Sequence, residues 1–268
     1  GAGQNSHSDF EQATLAGGPG NNRLDASGAA IPVTLLGAAG NDTLLSGSSA
    51  DRLDGGDGID MAEITGTNIV LTDASAPGSA GDTVVSIEGV LLTASARGSV
   101  ITASGYTLGS VTIVGSSGND TLTGGAGNDV IMAGGGSDVV NGGSGNDLIM
   151  GGGGNDNLSG DDGSDTIRGG IGRDTIDGGS ASDVLDGGSG RDLISGGDGN
   201  DWIYGGGSSD YLDGGADDDT AFGGAGHDTM IGGQGTDNLA GQQSLADVIR
   251  LTGEATDDIF TLSRADNF

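Results

Sequence analysis

From Gly115 to Ala240 an apolar residue returns every nine places, always two positions after an aspartate: Leu122, Ile131, Val140, Ile149, Leu158, Ile167, Ile176, Leu185, Ile194, Ile203, Leu212, Ala221, Met230 and Leu239. The polar interval is glycine-rich. Each phrase reads Gly-Gly-x-Gly-x-Asp-x-apolar-x, as in GGAGNDVIM (124–132), GGSGNDLIM (142–150) and GGSGRDLIS (187–195), and it runs fourteen times without a break. Six residues turn and three run straight, because clustered glycines accept positive φ and one apolar side chain can point inward from a very short strand. Strands this short must stack on neighbours about 4.8 Å away. With two phrases per turn, copies eighteen residues apart superpose, and a fixed period of this kind predicts an all-β parallel solenoid.

Outside that block the pattern changes to rough alternation. ITGTNIVLTD, DTVVSIEGVLLT, SVITASGY and SVTIVG are rich in Val, Ile and Thr and predict strands. They are expected to continue the solenoid on apolar packing, with a separate small β domain as the alternative. Pro77 marks a loop. The stretch from Phe10 to Gly47 can be laid over Ile87 to Gly125, at an offset of 77 that becomes 78, so a longer module repeats above the nonapeptide. The resulting division is a flexible 1–9, a short first repeat module 10–63, a β-rich, metal-poor segment 64–114, the fourteen-copy roll 115–240, and a C-terminal cap 241–268.

Stacking puts the aspartates in two columns. One holds Asp120, Asp138, Asp156, Asp174, Asp192, Asp210 and Asp228, the other Asp129, Asp147, Asp165, Asp183, Asp201, Asp219 and Asp237; the first module adds Asp42, Asp51 and Asp60. Carboxylates at strand spacing repel unless cations lie between them. The chain cannot supply these, since its net charge is −31 with 8 Arg and no Lys. Several hard divalent ions are required. Ca2+ fits best, as it takes six to eight oxygens from carboxylates and carbonyls, whereas Mg2+ demands a strict octahedron. With no Cys and two His, zinc and copper sites are not expected.

At these residues the chain resembles the RTX family of secreted calcium-binding proteins, whose nonapeptide forms a parallel β-roll. The resemblance implies a right-handed parallel β-roll with Ca2+ between stacked turns. It also implies that the sixth-place Asp bridges ions while carbonyls of the first four places complete the sites. Carried over, these carbonyls belong to Gly124, Gly125, Gly127, Gly142, Gly143, Gly145, Gly151, Gly152, Gly154, Gly169, Gly170, Gly172, Gly187, Gly188, Gly190, Gly196, Gly197 and Gly199. Departures fall at Ala133, Ser116, Asp161, Ala181, Ser208 and Asp217. Family likeness further implies a secreted or cell-surface bacterial protein, exported by a type I system.

Other chemistry finds little support. The aspartates are committed to the repeat, His227 sits at a variable turn place, and no phosphate loop, dinucleotide fingerprint or HExxH helix is present, so no enzyme is expected. Acidity opposes nucleic acid as a partner, and no run of about 20 apolar residues predicts membrane insertion. Outward places of alternate phrases carry Met132, Met150, Trp202, Tyr204 and Phe222, a candidate contact patch for self-assembly or for a cell-surface or polysaccharide partner. The expected function is a calcium-dependent extracellular structural module of a surface-layer, adhesin or matrix protein. Its alternative is the noncatalytic secretion and folding region of a secreted enzyme or toxin.

Overall fold

The computed structural model describes residues 11–66, 68–72, 82–241, 247–250 and 259–261. The 1–9 tail, the loop at Pro77 and most of the expected cap lie outside them. Every regular element among the described residues is a strand, and every strand pairing is parallel. Strands alternate between two sides of one solenoid. One side is a 13-stranded sheet running from Arg23–Asp25 to Ile259–Thr261. The other carries a 4-stranded sheet that ends at Thr83–Val85 and a 10-stranded sheet that starts at Asn68–Thr72.

Register follows the sequence period. Leu158 pairs with Val140 before it and Ile176 after it, and Ile203 with Leu185 and Ala221, so two phrases make one turn. Each strand of the roll sends its eighth-place side chain inward, where Ile131, Ile149, Leu185 and Ile203 are fully buried. Removing a Leu or Ile side chain from water contributes about 1.5–3 kcal/mol, which lets a core one side chain wide per strand hold the roll laterally. The segment 82–114 stacks in the same columns on apolar contacts, with Leu92, Ile101 and Ile113 buried and the Tyr106 hydroxyl donating to the Ile87 carbonyl at 2.6 Å.

The column opposite the 13-stranded sheet splits at one level. Met61–Gly66 pairs directly with Gly89–Ala94, yet the chain between them forms two strands. Thr83–Val85 pairs with Arg52–Asp57, and Asn68–Thr72 pairs with Val100–Gly105. One side therefore holds an extra strand.

The longer repeat is also visible, half a turn out of phase. Arg23–Asp25 lies in the 13-stranded sheet and its counterpart in Val100–Gly105 in the 10-stranded one, while Val33–Ala39 and its counterpart Ser110–Val114 exchange sides the other way. The tight turns between them match: Ala29 N–H donates to Ala26 O and Tyr106 N–H to Ala103 O, both at 2.8 Å.

Candidate metal centre

The sixth-place aspartates form continuous hydrogen-bonded ladders along both edges. The backbone N–H of each donates to Oδ1 of the aspartate one turn later, as from Asp120 to Asp138, Asp156 to Asp174 and Asp192 to Asp210 on one edge, at 2.7 to 2.9 Å. Asp129 to Asp147, Asp165 to Asp183 and Asp201 to Asp219 do the same on the other, also at 2.7 to 2.9 Å. All fourteen are buried, at 1 to 3% exposure. Asp42, Asp60 and Asp51 stand in equivalent ladders in the first module.

One oxygen is thereby committed to the fold. The other Oδ2 is buried without a donor in Asp138, Asp147, Asp156, Asp165, Asp174, Asp183, Asp192, Asp201, Asp210, Asp219 and Asp228, and in Asp42 and Asp60. A buried carboxylate oxygen left unpaired costs roughly 1–3 kcal/mol or more, and a column of them cannot stand in a stable fold without a cation. The surroundings are oxygen-lined as well: a Cβ added to Gly142 would overlap Asp147 Oδ2 and also approach the Gly160 carbonyl, so the first place is glycine because that space belongs to oxygens. The same contact recurs at Gly151, Gly169, Gly187 and Gly196. This donor set suits Ca2+, a hard cation that takes carboxylate and main-chain oxygens together. Among the described residues no three acidic or histidine side chains converge, so the carbonyls are needed to complete any site.

The ladder electrostatics point the same way. Burial first, and the charges of neighbouring rungs after it, push Asp147 and Asp183 up to about 7 and Asp219 to about 8. Asp174, Asp201 and Asp210 are raised to about 6 by the same main cause.

The first phrase of each ladder differs. Asp120 Oδ2 accepts from Ser116 N–H and Oγ, Asp129 Oδ2 from Gly125 N–H, and Asp51 Oδ2 from Gly47 N–H. Asn22 takes the Gly18 N–H in the same way. Such a phrase has no repeat turn before it, so its second-place amide folds inward and satisfies the carboxylate. Gly143, Gly145, Gly152, Gly154, Gly170, Gly172, Gly188, Gly190, Gly197 and Gly199 have positive φ, whereas Gly125 and Gly127 do not. The structure thus sets Asp120, Asp129 and the carbonyls of Gly124, Gly125 and Gly127 apart from the interior sites.

Three ladder members escape the phrase. Asp82 accepts from Asp51 N–H at 2.7 Å, Glu88 from Asp60 N–H at 2.8 Å, and Asp247 from Asp228 N–H at 3.0 Å. Each precedes an inward residue by two places, Val84, Val90 and Ile249, a signal present in the sequence without the regular glycine phrase. In the contact patch, Trp202 and Tyr204 are 50% and 37% exposed, and Tyr204 stacks on Phe222 with ring centroids 5.2 Å apart. Met132 and Met150 pair on the same sheet, but Arg168 and Asp186 stand in their column before Tyr204 is reached. The five residues form two groups.

Parallel turns of nine-residue phrases, edged by buried carboxylates with unpaired oxygens, define a calcium-binding β-roll. The family model for the RTX calcium-binding nonapeptide repeat, four copies long, matches residues 34–62, 112–140, 141–176, 150–185, 159–194, 177–212, 186–221 and 204–239. These spans cover more than half of the 268 residues, and the chain belongs to that family. No curated protein matches the chain.

Proposed function

We propose that the chain is a structural module of an extracellular bacterial protein of the surface-layer, adhesin or matrix kind, switched from loose to folded by Ca2+ after export. The observation that carries this reading is the run of buried, donorless Oδ2 atoms, in a chain with no Lys and in which no ion pair among the described residues engages a ladder carboxylate. Bound Ca2+ would supply the positive charge that the polypeptide lacks. Asp138, Asp147 and the later ladder members would hold it with the carbonyls of their turns. In a calcium-poor cytoplasm the carboxylates repel and the chain stays open for passage. Outside, millimolar calcium matches the affinities of extracellular modules, about 10⁻⁴–10⁻³ M, and folding is coupled to binding. No catalytic role is proposed. Far-UV circular dichroism in chelator and across a calcium titration tests the switch: strand signal should rise cooperatively with calcium, and identical spectra in both conditions would sink it.

A contact role for the Trp202, Tyr204 and Phe222 face is a second reading, favoured by three exposed or half-exposed rings whose centroids lie within 6.4 Å of one another. Exposed aromatic clusters mark association surfaces. A Trp202→Ser, Phe222→Ser double variant should lose self-association or glycan binding in calcium while its calcium-induced strand signal is unchanged.

A further inference from the structure

The fifth place of the phrase carries a ladder of its own along the outer edge. Asn155 Oδ1 accepts from Arg173 N–H at 2.8 Å, Asn119 Oδ1 from Ser137 N–H at 2.9 Å, and Asn146 Oδ1 from Ser164 N–H at 2.9 Å. Serine serves as well, with Ser209 Oγ accepting from His227 N–H at 3.2 Å. Asn and Ser therefore suit this place because they have an acceptor for the turn above. Arginine has none. Arg173 and Arg191 stand there on successive turns, and the rungs in which their side chains would accept from the amides of residues 191 and 209 are not made.

In exchange the fold gains one side-chain bond, from Arg191 Nε to the Ser209 carbonyl, and at Arg173 none among the described residues. Like charges are stacked on adjacent rungs about 4.8 Å apart, which costs free energy. Both guanidinium groups are exposed, and among the described residues neither makes an ion pair; those pairs involve only Arg23 and Arg52. Two of the chain's 8 Arg, in a protein of charge −31, thus sit side by side against local preference, with His227 two turns beyond Arg191 in the same column. A break of local rules with so little structural compensation is expected at functional positions.

These side chains line one open groove of about 480 Å³. Its other wall is the outward seventh-place column, where Leu193 is 49% and Tyr211 37% exposed, followed by Thr229 in register. Arg191 Nε donates to the Ser209 carbonyl at 3.3 Å, which ties one arginine along the groove. The ladder carboxylates Asp192 and Asp210 also line it but are only 3% exposed. Planar forks of donors match the oxygens of carboxylate, sulfate or phosphate, and an aromatic face beside them accepts an apolar ring.

We propose that the groove of Arg173, Arg191 and His227 binds an oxyanion borne by a small ligand whose apolar part rests on Leu193 and Tyr211. Isothermal titration of the calcium-loaded chain with sodium sulfate, phenyl sulfate, sodium glucuronate and glucose tests this, beside an Arg173→Asn, Arg191→Asn double variant. That variant carries the residue found at this place in other phrases, so it restores the lost rungs and folds with calcium at least as readily as the parent. Phenyl sulfate or glucuronate should bind the parent, sulfate more weakly and glucose not at all. The variant should lose roughly tenfold or more in affinity, as removal of charge-assisted pairs requires. Preference for glucuronate over phenyl sulfate would assign a carboxylated sugar as the source of the anion, and the reverse a sulfate ester on an aromatic ring. The proposal is overturned if no anion binds the parent, or if the double variant binds the anions as well as the parent does.

Discussion

The backbone amide of Asp147 donates to Oδ1 of Asp165 at 2.7 Å, while Oδ2 of Asp165 is buried with no donor. One carboxylate thus serves two purposes: one oxygen knits turn to turn, and the other is left for a cation. Exchanging Asp183 for Asn separates the two, since the amide oxygen can keep the rung from Asp165 while an NH2 group replaces the free acceptor. Asp183→Asn should raise the calcium concentration at half-folding by about tenfold, in line with the loss of one charged ligand. Asp129→Asn, at a first phrase whose Oδ2 already takes the Gly125 amide, should shift it several-fold less. Equal shifts in a circular dichroism titration would contradict the distinction between first and interior phrases.

Proton binding should mimic the cation in part. Burial raises Asp147, Asp183 and Asp219 to about 7, 7 and 8, well above the unfolded carboxylate value near 4. A raised carboxylate means that the folded state binds protons more tightly than the unfolded one. Stability of the calcium-free roll is therefore greatest below about pH 4 and is lost as pH rises to about 8. Calcium-free chain should gain strand signal on acidification from pH 8 to 5. With calcium present the order reverses, because protons compete for the same oxygens, and the calcium midpoint should rise as pH falls. Loss of strand signal on acidifying the calcium-free chain would refute this.

Backbone strain sits where glycine is missing. Ala181, Ser208 and Asp217 occupy the fourth place with φ of 72°, 92° and 74°, whereas the glycine at that place in the neighbouring phrase, Gly190, has φ of 147°. Left-handed backbone costs a residue with a Cβ roughly 1–2 kcal/mol, of which glycine's larger unfolded entropy returns about half. Changing all three to Gly should stabilise the calcium-loaded roll by about 1.5–3 kcal/mol in chemical denaturation. Gly190→Ala should destabilise it by more than 2 kcal/mol, roughly the cost of forced backbone movement, because the new Cβ would overlap the Gly172 carbonyl.

The period alone made the columns legible. Asp138, Asp147 and their successors could be placed on two edges because an eighteen-residue turn leaves no other stacking, and the same count placed Tyr204 beside Phe222. The phrase was also its limit. Asp82, Glu88 and Asp247 hold ladder positions but do not close a nine-residue phrase in the sequence, so a search for that phrase could not find them. Asp120 and Asp129 read like every other copy, and only the lack of a repeat turn before them closes their carboxylates on Ser116 and Gly125. Alternation identified strands in ITGTNIVLTD and DTVVSIEGV but carries no information on which strand stacks where, and the extra strand Asn68–Thr72 followed from tertiary pairing. Likewise Met132 and Met150 share a face with Trp202, yet Arg168 and Asp186 divide them, a consequence of register along the axis.

Asp247 allows the reach of the ladder to be measured beyond the last regular phrase. Its Oδ1 takes the Asp228 amide at 3.0 Å, its Oδ2 has no donor, and a Cβ on Gly241 would overlap that oxygen just as one on Gly142 would overlap Asp147 Oδ2. The six residues from 241 to 246 replace the usual five before the aspartate, so a stretched phrase still delivers a carboxylate in register, and Val248–Arg250 pairs with Thr229–Gln234 behind it. If that carboxylate completes a cation site with the turn of Asp228, Gly241→Ala and Asp247→Asn should each raise the calcium midpoint by several-fold and lower the number of ions counted by equilibrium dialysis. Ile249 packs against the core and neither substitution removes its side chain, so a purely structural turn would instead leave ion count and midpoint unchanged while lowering stability to denaturant. An unaltered ion count in Asp247→Asn would end the ladder at Asp228.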